Sequence, residues 1–349
     1  MARVSVGVPV YNGERYLAEA LDSLLAQSFE DLEIVMSDNA STDATAEIGR
    51  AYQSKDPRVR YFRSEQNLGA AWNFNRAFEL SSAPLFKWAA CDDLHEPRFL
   101  ERCVDALDRD PSVVLSHTYV KMIDDRGEAL QYDQDNDRFV SRDGRPVPRG
   151  DRNHIAEAAE PEARFRDLLT HMWWCVPSFG VIRRDAFLKT SGHGDYWGAD
   201  KVFLAELALQ GRFCQVPEAL FAKRVHDGCS YGKDTEELEE HINTTGSQGL
   251  YHLIMFKNYL RIALTADLTL AERSHCLLSV AGLTLRGGPW REILHQISVR
   301  HPAKFAEMVI EARQRVQRGL QCARAEARHF RAMCRDATEA GPACASTCR

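Results

Sequence analysis

The chain has 349 residues, 44% hydrophobic and 27% charged, with 21 Gly and 13 Pro, which excludes disordered, collagen-like and low-complexity proteins. That length suits one large α/β domain with an appendage, or two domains; no stretch approaches the roughly 18–20 uninterrupted apolar residues of a membrane-spanning helix. The net charge of −6 is uneven: residues 251–349 carry 15 Lys and Arg against 8 Asp and Glu, a net +7, leaving −13 for residues 1–250, so the two parts are expected to do different jobs.

The segment MARVSVGVPVYNG enters a strand with no apolar leader, so a cytoplasmic protein is expected. Residues 4–10 form a Val-rich run suited to a buried parallel strand. Asn12 is then expected to cap a helix with Leu17, Ala20, Leu21, Leu24 and Leu25 on one face. Strands are predicted again at 32–37, 59–64 and 85–90, each followed by turn residues and a helical pattern: a helix near 43–53, one opened by Asn67-Leu68-Gly69 and running through Leu80, and one through Leu107 behind Asp92, Asp93 and Pro97. Four strands alternating with helices imply a parallel sheet with right-handed crossovers.

A fifth strand is predicted at 113–123, followed by a polar excursion over 124–160 that reads as a flexible loop near a site. A helix at 161–170, a strand at 178–183, a helix at 200–210 and short strands at 212–216 and 219–225 follow. Helical patterns occupy 247–265, 269–285 and an Arg-rich stretch over 302–333; the last dozen residues read as frayed. None of the ten cysteines forms a C-x-x-C pair, so structural zinc and a thioredoxin-like motif are not expected and the thiols read as structural.

Ligands of open parallel sheets bind beyond the carboxyl ends of the strands. Those ends carry Tyr11, Asn12 and Glu14; Asp38 and Asn39; Asn67 and Gly69; and Asp92 and Asp93. Neither G-x-G-x-x-G after the first strand nor G-x-x-x-x-G-K-[ST] is present, so the dinucleotide fingerprint and the P-loop are excluded. A pyrophosphate held without a Gly-rich cradle can recruit a divalent cation, and Asp92 and Asp93 are hard oxygen ligands for Mg²⁺ or Mn²⁺. Taken alone, such a pair is most often a turn with a helix-capping carboxylate.

Read together, VPVYNGERYLAEALDSLLAQS (8–28), IVMSDNASTD (34–43), NLG (67–69) and CDDLHEP (91–97) resemble family 2 nucleotide-diphospho-sugar glycosyltransferases of the GT-A fold, over about residues 3–230. The resemblance implies a Rossmann-like, mostly parallel sheet flanked by helices, here with a helical C-terminal extension. It also implies that Pro9, Tyr11 and Glu14 border base and ribose, that Asp38 bonds the base, that Asn67 and Gly69 line the nucleotide-sugar site, that Asp92 reaches ribose or sugar and that Asp93 ligates the metal. Many members carry a further acid two positions before the pair, where this chain has Ala90.

Gly198-Ala199-Asp200 resembles the family's x-D motif, whose Asp is the general base; an acceptor hydroxyl needs a carboxylate to take its proton as it attacks. Asp200 also fits a helix N-cap. Arg224-Val225-His226 resembles a late R-x-H, with Arg224 toward phosphate and His226 toward metal or departing diphosphate. Trp174 is a candidate stacking surface for a sugar ring, or part of the core. The expected organisation is a catalytic domain over 1–233, a helical region over 234–333 and a tail over 334–349.

The implied activity is inverting, metal-assisted transfer of a hexose from a nucleotide-diphosphate sugar, UDP-sugar favoured, to a polysaccharide, lipid carrier, peptide or small natural product. A non-catalytic nucleotide-sugar binding module and a sugar nucleotidyltransferase are the alternatives; no nucleic-acid partner is expected. The basic C-terminal helices read as packing on the catalytic domain or pairing subunits, or as touching anionic lipid at the inner membrane surface.

Overall fold

The computed structural model describes residues 2–285 apart from 137, 142–143, 145, 149–154, 173–174 and 230–250. Residues Met1–Pro289 form one compact unit; a second, Trp290–Arg349, lies outside the described residues, as do the expected helix over 302–333, the tail and Trp174.

Strand β1 (Val4–Val10) is buried along its whole length, the outcome expected of a Val-rich run flanked by strands on both edges and covered on both faces. The chain continues through α1 (Leu17–Leu25), β2 (Leu32–Asp38), α2 (Thr45–Lys55), β3 (Val59–Arg63), α3 (Ala70–Glu79), β4 (Leu85–Trp88), β5 (Leu94–His95), α4 (Phe99–Arg109) and β6 (Val113–Ile123). After β6 come three short strands, β7 (Gln131–Asp133), β8 (Arg138–Val140) and β9 (Pro146–Pro148), then α5 (Pro161–His171) and a 3₁₀ turn (Val176–Phe179). Strand β10 (Val181–Arg183), α6 (Arg184–Phe187), α7 (Ala199–Gln210), β11 (Arg212–Arg224), α8 (Tyr251–Thr265) and α9 (Leu270–Leu285) complete the described chain.

Eight strands form a mostly parallel sheet in the order β3-β2-β1-β4-β10-β6-β11-β5. Strand β1 lies parallel between β2 and β4, β2 pairs in parallel with β3, and β6 with β11; β10 and β5 run against their neighbours. The strand order reverses at β1, so the crevice beyond the carboxyl ends of β1 and β4 is the switch point where open sheets bind ligands. Leu17, Leu21 and Leu24 of α1 and Phe99, Leu100 and Leu107 of α4 pack into one buried cluster, while Phe78, Phe187, Phe203 and Leu204 pack with Phe86 and Trp88 of β4 into another. A third cluster joins Phe165 of α5, Val202 and Ala205 of α7 and Tyr259 and Ile262 of α8.

Several local expectations need correction. Asn12 does not cap α1: its φ is 52°, its Oδ1 accepts from the Thr42 N–H at 2.8 Å, and the helix begins at Leu17 behind Tyr16 with no side-chain cap. Strand β5 was not foreseen, because two residues carry no readable period; pairing with β11 creates it. The excursion after β6 is not structureless, since β7, β8 and β9 form an antiparallel sheet and Val147 is fully buried in the main core. The segment predicted as a strand over 178–183 divides into the 3₁₀ turn and β10, and the two short strands after α7 are one bulged strand, with register shifts around Val216 and Ala219.

Candidate active site

The loops leaving β1 and β2 are laced together at the crevice. Asn12 N–H donates to Ser41 Oγ at 2.9 Å, Gly13 N–H to Thr45 Oγ1 at 2.9 Å and Glu14 N–H to Asp43 Oδ2 at 3.0 Å; Ala44 N–H returns a bond to Glu14 Oε2 at 2.9 Å. Glu14 thus secures the start of α2 with one carboxylate oxygen. Pro9 closes β1 opposite Ser37, and Tyr11 stands 48% exposed at the rim, free to meet a ligand. Ala40, with φ 62°, turns the chain after β2 in a left-handed conformation, and such residues cluster where loops are shaped for ligands.

Asp38 is enclosed. Its carboxylate accepts from Ser41 N–H at 2.8 Å and Tyr61 O–H at 2.5 Å, with Arg63 Nε at 3.4 Å, and its side chain is 0% exposed. The carboxylate expected to bond the base thus already accepts from two protein donors, and the more exposed Arg63 stands beside it at that end of the crevice. Gly49 of α2 lets the Tyr61 ring come close enough to hold Asp38; a Cβ there would lie 2.4 Å from the ring. Asn39, buried and not assigned a role from sequence, donates from Nδ2 to Asn67 Oδ1 at 2.7 Å and to Gly69 O at 3.1 Å, and accepts from Leu68 N–H at 3.0 Å. Asn67 and Gly69 are brought to the crevice in this way.

The acidic pair follows β4. Asp92 Oδ2 lies 3.0 Å from His226 Nε2, and His226 Nδ1 accepts from Gly228 N–H at 3.1 Å, which puts the ring proton on Nε2, pointing at Asp92. Burial opposes the Asp92 charge, but the His226 bond and the nearby Lys223 charge hold its carboxyl below the usual range. Asp93 is 2% exposed; its Oδ1 accepts from Arg224 N–H at 2.8 Å, while Oδ2 is buried with no hydrogen-bond partner, and burial raises the carboxyl to about 6.

Arg224, expected toward phosphate, is engaged with protein groups. Its side chain is 0% exposed and donates to Glu19 Oε2 at 2.6 Å, the Asp92 carbonyl at 2.8 Å and the Asp124 and Asp125 carbonyls at 3.3 and 3.4 Å, with the guanidinium 4.5 Å from the centre of the Tyr16 ring. It ties α1, the acidic pair and the root of the β7–β9 excursion together. Arg224→Met is expected to lower stability by about 2–4 kcal/mol, since buried carbonyls lose their donor. Urea denaturation checks this, and a loss below about 0.5 kcal/mol would contradict the role.

Asp200 stands half-buried in the first turn of α7, after Gly198 at φ 82°. Its Oδ1 accepts from Lys201 N–H at 2.8 Å; the Cys175 thiol, directed at Met172 Sδ at 4.0 Å, is kept protonated first by burial and then by the Asp200 charge. Sequence reasoning missed two lysines. Lys223 of β11 acts electrostatically on Asp92, Asp93 and Cys175, and its Nζ lies 5.6 Å from the Phe179 ring centre, between the acidic pair and the Asp200 side. Lys87 of β4 is buried, held down to about 7 by desolvation, and donates to the Phe179 carbonyl at 2.6 Å, fastening the 3₁₀ turn to the sheet. A Lys inside an apolar strand was the available signal for the second; nothing marked the first.

Among the described residues no three His, Cys, Asp or Glu side chains converge on one cation. Two groups fit a divalent ion that keeps some water and takes other ligands from a diphosphate, the ionised Asp92 carboxylate and the adjacent His226 imidazole, and the buried Asp93 Oδ2 nearby has no hydrogen-bond partner. None of the six cysteines among the described residues is in a disulfide, and no described helix is long and apolar enough to cross a membrane.

Comparison with known proteins gives a consistent pattern. The family described as "Glycosyl transferase family 2" matches residues 5–190. An uncharacterized glycosyltransferase of Rickettsia felis is 34% identical over 132 residues, 37% of this chain and 21% of that protein, and the chondroitin synthase of Escherichia coli is 32% identical over 127 residues, 36% and 18%. The aligned region spans less than half the length of these curated relatives. S. aureus TarS 1–349 in complex with UDP-GlcNAc shares the fold, with a TM-score of 0.59 and 18% identity over 87% of this chain and 77% of that one.

Proposed function

Because this chain belongs to glycosyl transferase family 2, we propose that it transfers a hexose from a nucleotide-diphosphate sugar to an acceptor hydroxyl, with inversion and with Asp200 as general base. The observation that carries the reading is the Asp92–His226 pair, set beside the laced β1 and β2 loops at the switch point of the sheet. Base and ribose lie against Tyr11, Arg63 and the loop held by Asn39. The diphosphate lies toward Asp92 and Lys223.

A Mg²⁺ or Mn²⁺ ion, when bound, neutralises charge on the leaving diphosphate. Asp92 and His226 would hold it, with the Asp93 Oδ2 behind them. Ligation through Nε2 would require His226 to carry its proton on Nδ1 and to release the Gly228 N–H. Asp92 takes the leading role that the family pattern suggested for Asp93, because Asp92 keeps a 25% exposed side chain whereas Asp93 is almost fully enclosed.

The acceptor O–H gives its proton to Asp200 as its oxygen forms a bond to the anomeric carbon. The bond from that carbon to the diphosphate oxygen breaks, and the nucleoside diphosphate leaves with the electron pair. Lys223 offers positive charge beside that leaving group.

Incubating the protein with Mn²⁺ and a panel of UDP-, GDP- and dTDP-sugars, with release of nucleoside diphosphate as readout, tests the proposal. UDP-sugars come first, TarS having been seen with UDP-GlcNAc. Binding without release would identify a nucleotide-sugar binding module, and consumption of pyrophosphate with release of a nucleoside triphosphate a nucleotidyltransferase; either result overturns the reading.

A further inference from the structure

The family match ends at residue 190, yet Asp200 and the segment leading into it lie beyond that point. That segment, residues 191–198, has no regular secondary structure of its own and takes its position from three helices. From α3, Asn75 brackets it: Asn75 Oδ1 accepts from His193 N–H at 2.8 Å, and Asn75 Nδ2 donates to His193 O at 2.8 Å. From α7, Glu206 accepts with Oε2 from both the N–H and the hydroxyl of Ser191, each at 2.7 Å. From α8, Arg261 donates to the other Glu206 oxygen at 2.6 Å.

Glu206 is 7% exposed, an expensive place for a carboxylate unless every oxygen is engaged, and here both are. The second contact of α8 falls two residues before Asp200. Gly198 has φ 82°, and a Cβ on it would lie 2.5 Å from Met255 Sδ, so α8 packs directly against the backbone that starts α7. Tyr259 and Ile262 of the same helix are buried with Val202 and Ala205 of α7. Helix α8 is thereby bound to the Asp200 segment by the Arg261 ion pair and by the packing of Met255 and Tyr259.

We propose that Arg261, acting through Glu206, is a positioning residue for the transfer reaction: α8 is part of the catalytic machinery, and the Arg261–Glu206–Ser191 chain holds the segment that presents Asp200. The inference rests on the reading of Asp200 as the base. It concerns the reacting end of the site and leaves the nucleotide end untouched. None of the bonds that lace the β1 and β2 loops or hold Asp92 and Asp93 involves α8.

The test uses the full chain with the donor that releases most nucleoside diphosphate, Mn²⁺ and water as the acceptor, and measures kcat together with calorimetric affinity for the corresponding nucleoside diphosphate. Arg261 is 43% exposed on its side chain, so Arg261→Met is expected to fold. It should lower kcat about 10–100-fold while nucleotide affinity stays within about twofold, the signature of a displaced reacting group rather than a damaged binding site. Arg261→Lys should recover part of the rate, and Glu206→Gln combined with Arg261→Met should cost little more than either alone, because the two act as one unit.

An unchanged kcat in Arg261→Met, or a parallel fall of kcat and nucleotide affinity, overturns the inference. Asp200→Asn run alongside separates the two ideas. If that variant keeps its turnover, the base assignment fails; if it is inactive while Arg261→Met is fully active, only the role of α8 fails.

Discussion

Asp200→Asn is expected to lose transfer by about 10²–10⁴-fold while nucleoside diphosphate affinity stays within about twofold. The amide keeps the size and the hydrogen-bond acceptor of the carboxylate but cannot take a proton from a hydroxyl. Its surroundings favour that role. The Lys201 N–H donates to Oδ1, so the half-buried carboxylate is held in one orientation. Asp200 lies in the first turn behind the cap position Gly198, and a helix-dipole role alone would cost about 0.3–1 kcal/mol of stability and leave turnover intact. Nucleoside diphosphate release by Asp200→Asn at the wild-type rate would therefore reduce Asp200 to a helix-terminal residue.

The second large effect concerns the cation. EDTA should reduce turnover to background and Mn²⁺ should restore it, whereas Asp92→Asn should remain about 10²-fold or more impaired at saturating Mn²⁺, the scale of losing one electrostatic stabiliser of developing charge. Mn²⁺ binding measured by electron paramagnetic resonance gives a readout independent of turnover, and Asp92→Asn should weaken it. Asp93→Ala is expected to act mainly through structure, since it removes the oxygen that accepts the Arg224 N–H. Full activity in EDTA, or unaltered Mn²⁺ affinity in Asp92→Asn, would contradict the assignment.

The alternation of strands and helices was readable as far as α4, because Val-rich runs and Leu spacing each have one period and one turn chemistry between them. The strand-end residues were readable for the same reason: once the strands are known, Tyr11, Asp38, Asn67 and Asp92 must stand at their carboxyl ends. Roles within that set were less legible. Asp38 and Arg224 carry the charges of ligand contacts, yet both are enclosed, and whether a charged group meets solvent or other protein groups depends on residues far away in the chain. Tyr61 encloses Asp38 from another strand, and Glu19 meets Arg224 from across the sheet. The β7–β9 strands are three residues each, too short for any period to register.

What the amino-acid sequence determined by itself is local and ordered: the α/β alternation, the four strand ends and the residues placed there, and the x-D motif opening α7. Only the tertiary structure decided which of those residues are enclosed by protein partners and which keep exposed surface. It paired Asp92 with His226, enclosed Asp93 and Arg224, and brought Arg261 of α8 to Glu206 behind the Asp200 segment. Periodicity and turn chemistry act over a few neighbouring residues, whereas burial and hydrogen-bond partnership are set by chain segments that meet only when the sheet and its helices close around a common core.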